Sequence, residues 1–279
     1  MIQQATLKRD VSKLTEAQST LLMPLWARAM ESRHESPLIS DSKAVEMVAS
    51  LDFDFDLFRQ KAVPQADYCV RAVVLDQLVQ EFLVENPRGT VVEFGVGLDT
   101  RFDRLDNGTV TWIELDLPHV IDLREQFFEA TERRKILRGS LTETDWIPQV
   151  ASLTNGPILF IAEGVLYFLT HAQVHSLLDH LVENFPKSSF LFDAQSPWFL
   201  WFSNLRQPVK NAEMKFSLGS VRQLEDQHRG RTLRVKRWVG FGDSPYYDSA
   251  LKRVGRVKRW ARKLCPLVRG MFKIVQVSW

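Results

Sequence analysis

Apolar residues follow two rhythms along this chain. In Asp67–Glu85, Val70, Val73, Val74, Leu78, Phe82 and Leu83 recur at helical spacing, and Asn86-Pro87 stops the run. Elsewhere the apolar residues fall in short continuous blocks. Thr90–Phe94, Val110–Asp116, Lys135–Arg138, Ile158–Ala162 and Ser189–Asp193 are such blocks, and each is too short for a helix. A helix is predicted after Pro118, through Val120, Leu123, Phe127 and Phe128, and another over His171–Asn184. Apolar strand blocks that alternate with amphipathic helices predict an α/β fold, with a mostly parallel sheet covered on both faces. Ser12–Glu31 and Lys43–Lys61 read as upstream helices with a break near Pro37, and Thr232–Val239 and Phe272–Val277 as further strands.

Two of these blocks carry chemistry. The first ends Glu93-Phe-Gly-Val-Gly97. Gly95 and Gly97 remove the Cβ atoms that would keep a ligand from the backbone, and glycine tolerates angles that other residues avoid. Glu93, at the end of the strand, is expected to point its carboxylate into the crevice. The second block ends at Asp116, nineteen residues beyond Gly97. That is close to the spacing at which an α/β nucleotide site sets an acid on ribose hydroxyls. A dinucleotide site wants a third glycine where this chain has Thr100, and an acid before the glycines repels phosphate. S-adenosylmethionine (SAM) carries an ammonium, a sulfonium and a ribose but no phosphate, so the two acids favour it over NAD.

Glu93-Phe-Gly-Val-Gly-Leu-Asp-Thr-Arg-Phe102 resembles the first SAM motif of the leucine carboxyl methyltransferase family. More closely, it is similar to that family's branch of bacterial O-methyltransferases associated with polyketide biosynthesis. Trp112–Arg124, Asp145-Trp146 and Ile158–Leu169 also resemble family segments, so the similar region spans residues 65–195. The resemblance implies a Rossmann-like class I SAM-dependent methyltransferase fold, with a mostly parallel seven-stranded sheet and a helical cap. Within one methyltransferase domain, residues 1–64 would form an N-terminal helical cap and 65–195 the SAM-binding core. Residues 196–230 would form a substrate cap, and 231–279 the closing strands and a basic helix.

The resemblance also implies roles. Arg71 would hold the SAM carboxylate, a task suited to a guanidinium. Glu93, Gly95, Gly97, Asp116 and Leu117 would bind the cofactor, with Asp116 on the ribose. Ser140 stands where the family often has an aspartate that accepts a hydrogen bond from the adenine amino group; Leu141 lies beside it. Glu163, at the end of the fourth strand, would lie beside the methionine part of SAM and is the catalytic candidate. Tyr167-Phe168 replaces the commoner Met-Tyr pair, and Tyr167 is carried as a substrate contact. In Ser196–Ser203 the aromatics Trp198, Phe199, Trp201 and Phe202 are candidates for a flat apolar substrate wall, with Trp198 and Trp201 foremost.

Composition narrows the picture little. With 279 residues, 45% hydrophobic and 25% charged, the chain can bury one sizeable core. A net charge of +2 gives no reason to expect a nucleic-acid partner. Cys69 and Cys265 form no disulfide framework, no metal is expected, and no apolar run suggests a membrane span. The first residues lack the apolar core of a signal peptide, so the cytoplasm is expected. Basic residues gather late, at Arg229, Arg231, Arg234, Lys236 and Arg237, then from Lys252 to Lys263 at helical spacing. Such a face could receive an acidic carrier protein delivering a small-molecule substrate. The sequence thus favours a SAM-dependent O-methyltransferase acting on a carboxylate or hydroxyl of a small polyketide-like metabolite. A protein carboxyl methyltransferase and a SAM-binding interaction protein without turnover stay open as alternatives.

Overall fold

The computed structural model describes residues 8–11, 14, 18–60, 65–205, 213–227, 232–252 and 270–279. Seven strands form one sheet: β1 (Thr90–Phe94), β2 (Thr111–Asp116), β3 (Arg134–Arg138), β4 (Ile158–Ala162), β5 (Ser189–Gln195), β6 (Arg234–Gly240) and β7 (Phe272–Ser278). Their spatial order is β3-β2-β1-β4-β5-β7-β6. β1 to β5 pair in parallel, and β7 is antiparallel to both its neighbours. The order reverses between β1 and β4, the point beyond whose C-terminal strand ends an open α/β sheet places its ligand crevice. A separate two-residue pair joins Arg9–Asp10 to Leu51–Asp52.

The helices are α1 (Leu22–Glu31), α2 (Ser42–Ser50), α3 (Asp56–Gln60), α4 (Gln65–Glu85), α5 (Arg101–Leu105), α6 (Pro118–Arg124), α7 (Trp146–Leu153), α8 (His171–Asn184), α9 (Pro197–Leu205), α10 (Arg222–Gln227) and α11 (Pro245–Leu251). α8 starts at a reciprocal cap, in which Thr170 and Gln173 satisfy each other's backbone amides. Among the described residues, no helix is long and apolar enough to cross a membrane.

Strand parity splits the core in two. Val92, Phe94, Ile113, Leu115, Phe160, Ala162, Phe190 and Phe192 face α7 and α8. Val91, Trp112, Leu159, Ile161 and Leu191 face α4 and α11. A third cluster unites α1 and α2 with Cys69 and Ala72 of α4 and reaches Leu98 in the loop after β1.

Three predicted helices are shorter than expected. Of Ser12–Glu31, Leu14 is not helical, and regular helix begins at Leu22 after a 3-10 turn over Gln18–Leu21. Lys43–Lys61 divides, because Leu51 and Asp52 turn extended to pair with Arg9 and Asp10, and α3 begins only after Asp54 accepts the amide of Asp56. The helix from Pro118 ends at Arg124, before Phe127 and Phe128. Phe128 packs its ring under the guanidiniums of Arg124 and Arg134, 4.2 and 4.4 Å from the centroid. Most of the basic stretch, from Arg253 to Lys263 together with Arg229 and Arg231, and Cys265 lie outside the described residues.

Candidate active site

The strand ends on the α4 face carry Glu93, Glu114, Asp116 and Asp193, and Glu163 follows β4 at once. Each has the parity of the residues that face α4, so the alternation that buries Phe94 and Phe192 on one side turns carboxylates to the other. After β1 the chain turns sharply. Gly95 and Gly97 have φ of +59° and +50°, the left-handed region that favours glycine. A Cβ at Gly95 would lie 2.3 Å from Val165, so the loop after β4 also packs too closely to admit a side chain there.

Asp116 organises this loop. One carboxylate oxygen accepts the amide of Gly97 at 2.7 Å, and the other accepts that of Leu117 at 2.7 Å. Burial raises its carboxyl above the usual range, against the pull of those amides. Leu117 is 36% exposed beside it, an apolar side chain at the open edge of the crevice. On the third strand's side, Ser140 bonds Thr142 at 2.8 Å, and Leu141 packs partly into the core.

A charged network fills the middle of the crevice floor. Arg71, from α4, binds Glu163 at 2.9 Å and Asp193 at 3.0 Å. Burial opposes its charge, but the two carboxylates outweigh that and hold the guanidinium well above its usual value. Tyr167 donates its hydroxyl to Asp193. Arg101 is fully buried and binds Asp76, Glu93 and Glu163. Arg28 and Arg104 extend the network through Asp41 and Asp99. In all, four arginines meet six carboxylates: Asp41, Asp76, Glu93, Asp99, Glu163 and Asp193. Buried ion networks add little net stability, but each member left alone is costly, so the set fixes one arrangement of the strand ends.

Glu93 differs from expectation. Its carboxylate is 2% exposed and lies on the α4 face instead of opening into the crevice. Arg101 donates to one oxygen and the Trp112 indole to the other, at 3.3 Å. Burial pushes this carboxyl up to about 7, although Arg101 pulls against it.

At the β5 end, α9 carries the aromatic run. Trp198, Phe199 and Phe202 contact one another, and Phe199 meets Phe272 edge-on at 4.7 Å. Phe272 also lies 6.4 Å from Tyr167. Trp201 stands apart from this group, 65% exposed on the outer side of α9.

Comparison with known proteins agrees with this arrangement. The family model described as leucine carboxyl methyltransferase matches residues 21–182. The chain belongs to the leucine carboxyl methyltransferase family. It is 32% identical to the tetracenomycin polyketide synthesis O-methyltransferase TcmP of Streptomyces glaucescens, over 86% of this chain and 89% of that one. It is 28% identical to the S-adenosyl-L-methionine-dependent methyltransferase dpfgK of Gibberella zeae, over 84% and 86%. Among solved structures, a DUF574 family protein from Streptomyces avermitilis shares the fold. Its TM-score is 0.60 at 9% identity, with 93% of this chain and 96% of that one covered. This family member is a SAM-dependent O-methyltransferase with a Rossmann-like α/β fold.

The residues present fit SAM. A network with more carboxylates than guanidiniums suits a ligand that brings an ammonium and a sulfonium. The charged network also contains residues that the sequence analysis left without a role. Asp193 closes a quoted strand, and Arg101 closes the Gly-Leu-Asp-Thr-Arg run. The signal for Arg101 was its place four residues after Gly97; for Asp193 it was its place at a strand end. Asp76 gave none, because an acid on an amphipathic helix reads as solvated.

Proposed function

We propose that this enzyme methylates a carboxylate or hydroxyl oxygen of a small, aromatic, polyketide-like metabolite. The observation that carries this reading is the aromatic group of Trp198, Phe199, Phe202 and Phe272, set beside Tyr167 and the Arg71–Glu163–Asp193 cluster. An apolar cluster of aromatic rings next to the charged floor suits an aromatic acceptor. The name of the Streptomyces glaucescens relative supports the same class.

Bound SAM supplies an electrophilic methyl group on its sulfonium. The chain's own residues have the task of alignment and water exclusion. In this reading Arg71 takes the SAM carboxylate, and Glu163 lies beside the ammonium as the residue that fixes the methionine end. Asp116 takes the ribose hydroxyls, with Gly95 and Gly97 offering backbone and Leu117, Ser140 and Leu141 bordering the adenine. Glu93 acts from below, by holding Arg101. Tyr167 and Trp198 belong to the acceptor side, whereas Trp201, exposed on the outer side of α9, does not join them. A carboxylate acceptor is already nucleophilic at neutral pH and needs no base, whereas a hydroxyl is helped by one.

Residues 1–64 and 196–230 act as caps over the 65–195 core in this proposal. Arg28 of α1, which donates to the Leu98 carbonyl at 3.0 Å, supports the first of these roles. The enzyme works in the cytoplasm and takes its substrate from an acidic carrier protein. Supporting the carrier are the exposed Arg234 and Lys236 on β6, which present positive charge to an acidic partner. The test is transfer of labelled methyl from SAM to a panel of aromatic acids and phenols. Labelled methyl ester or ether is expected. Transfer to peptide C-termini alone would overturn the reading.

A further inference from the structure

Two buried polar atoms lie unsatisfied at the end of β5. Gln195 is 1% exposed and Ser196 8% exposed, and neither Gln195 Oε1 nor Ser196 Oγ has a hydrogen-bond partner among the described residues. Such groups are rare in folded proteins, because each forgoes its bonds to water without replacement. Ser196 stands just before α9, and its carbonyl accepts the amide of Leu200 at 2.9 Å. A serine there ordinarily turns its hydroxyl onto a first-turn amide; this one does not.

Position gives the first of these atoms a use. Gln195 lies two residues beyond Asp193, on the same face of β5 and about 6.7 Å further along the strand. Asp193 belongs to the Arg71–Glu163 floor, so Gln195 stands one step above it, on the acceptor side. Phe272 pairs with Gln195 in register and touches both Tyr167 and Phe199. Residues 213–218 cross over the group. The Leu218 amide binds the Gln195 carbonyl at 2.8 Å, the Phe216 amide binds that of Tyr167 at 3.1 Å, and Met214 is tied to Asn204. Gln195 Nε2 lies 3.0 Å from the Met214 sulfur, which leaves the amide oxygen as the free end. Lys273 pairs with Ala194, whose parity faces the other side of the sheet, and gives its ammonium to the Leu218 carbonyl at 3.0 Å.

We propose that Gln195 determines acceptor specificity by accepting a hydrogen bond from a hydroxyl group on the aromatic methyl acceptor. The inference rests on the methyltransferase reading and sharpens it. A free amide oxygen accepts from a hydroxyl and repels a carboxylate, so it selects hydroxylated aromatics over their deoxy counterparts. A site built to bind a hydroxyl discriminates strongly against an analogue that lacks it.

The test is a titration of the protein–S-adenosylhomocysteine complex with 6-hydroxy-2-naphthoic acid and 2-naphthoic acid. It is run on the wild type, Gln195→Met and Ser196→Ala. The wild type is expected to bind the hydroxylated probe about tenfold tighter or more. In Gln195→Met that preference falls to about threefold or less through loss of the hydroxylated probe alone, whereas Ser196→Ala, a neighbouring control, keeps it. A merely structural amide would weaken both probes together. Equal binding by the wild type, binding of neither probe, or an undiminished preference in Gln195→Met would overturn the inference. S-adenosylhomocysteine affinity, read first, separates the two levels. Without it the methyltransferase reading fails as well; with it, only the hydroxyl inference falls.

Discussion

The two faces of the central sheet are made from the same strands, are both apolar along their length, and differ at the strand ends. Toward α7 and α8, Phe94 stacks on Phe160 at 5.4 Å and meets Trp146 and Phe190, and the face is dry up to the strand ends. Toward α4, the adjacent positions Glu93, Glu114, Asp193 and Gln195 are polar and almost fully buried. The difference shows how this fold separates stability from chemistry. One face gains from apolar burial. The other places charges that contribute little net stability and much geometry.

The strongest break of this comparison is Arg71→Met. It leaves Glu163 and Asp193 without their shared cation and should cost about 3–5 kcal/mol in denaturant unfolding, with SAM binding lost. Phe160→Ala, on the dry face, should cost a similar 3–5 kcal/mol, yet spare SAM affinity in the folded fraction to within about twofold. Loss of SAM binding in the folded Phe160→Ala protein would mean that the faces are not separate.

Gly95→Ala should have a smaller effect, about 1–3 kcal/mol, from the positive φ and the contact with Val165. Adding Val165→Ala should recover the part due to contact and leave the part due to φ. A further effect concerns pH. The carboxyl of Glu93 is raised to about 7 from 4.5, so the folded state binds a proton between those values that the unfolded state has released. The stability this confers is complete below the unfolded value and is lost as pH rises through about 7. Glu93→Gln should therefore flatten the fall in stability between pH 5 and 7.5, by up to about 1.4 kcal/mol per unit. An unchanged pH slope would contradict the assignment.

Much of the architecture was legible in the chain. Ile158–Ala162 and His171–Asn184 are found with the predicted bounds, because a continuous apolar block and a capped amphipathic run have few alternatives. The faces were not legible. A strand buried on both sides shows no alternation of apolar and polar residues, so Glu93 read as a strand-end acid when it is a buried partner of Arg101. The spacing suggested Asp116 for the ribose, but not that its carboxylate accepts the Gly97 amide, a contact between the ends of adjacent parallel strands. The Arg71–Asp193 pair spans 122 residues, and no local pattern announces a contact of that range. Gln195 was hidden for another reason: its singularity is an absent partner, which only the fold reveals.

The most direct test of the central claim, that the polar face of the strand ends is the SAM site, is calorimetry of the wild type with SAM and with NAD, beside Asp116→Ala. The account predicts micromolar binding of SAM, no binding of NAD, and loss of the SAM signal in an Asp116→Ala protein that remains folded. SAM binding undiminished by that substitution, or NAD binding in place of SAM, would contradict it.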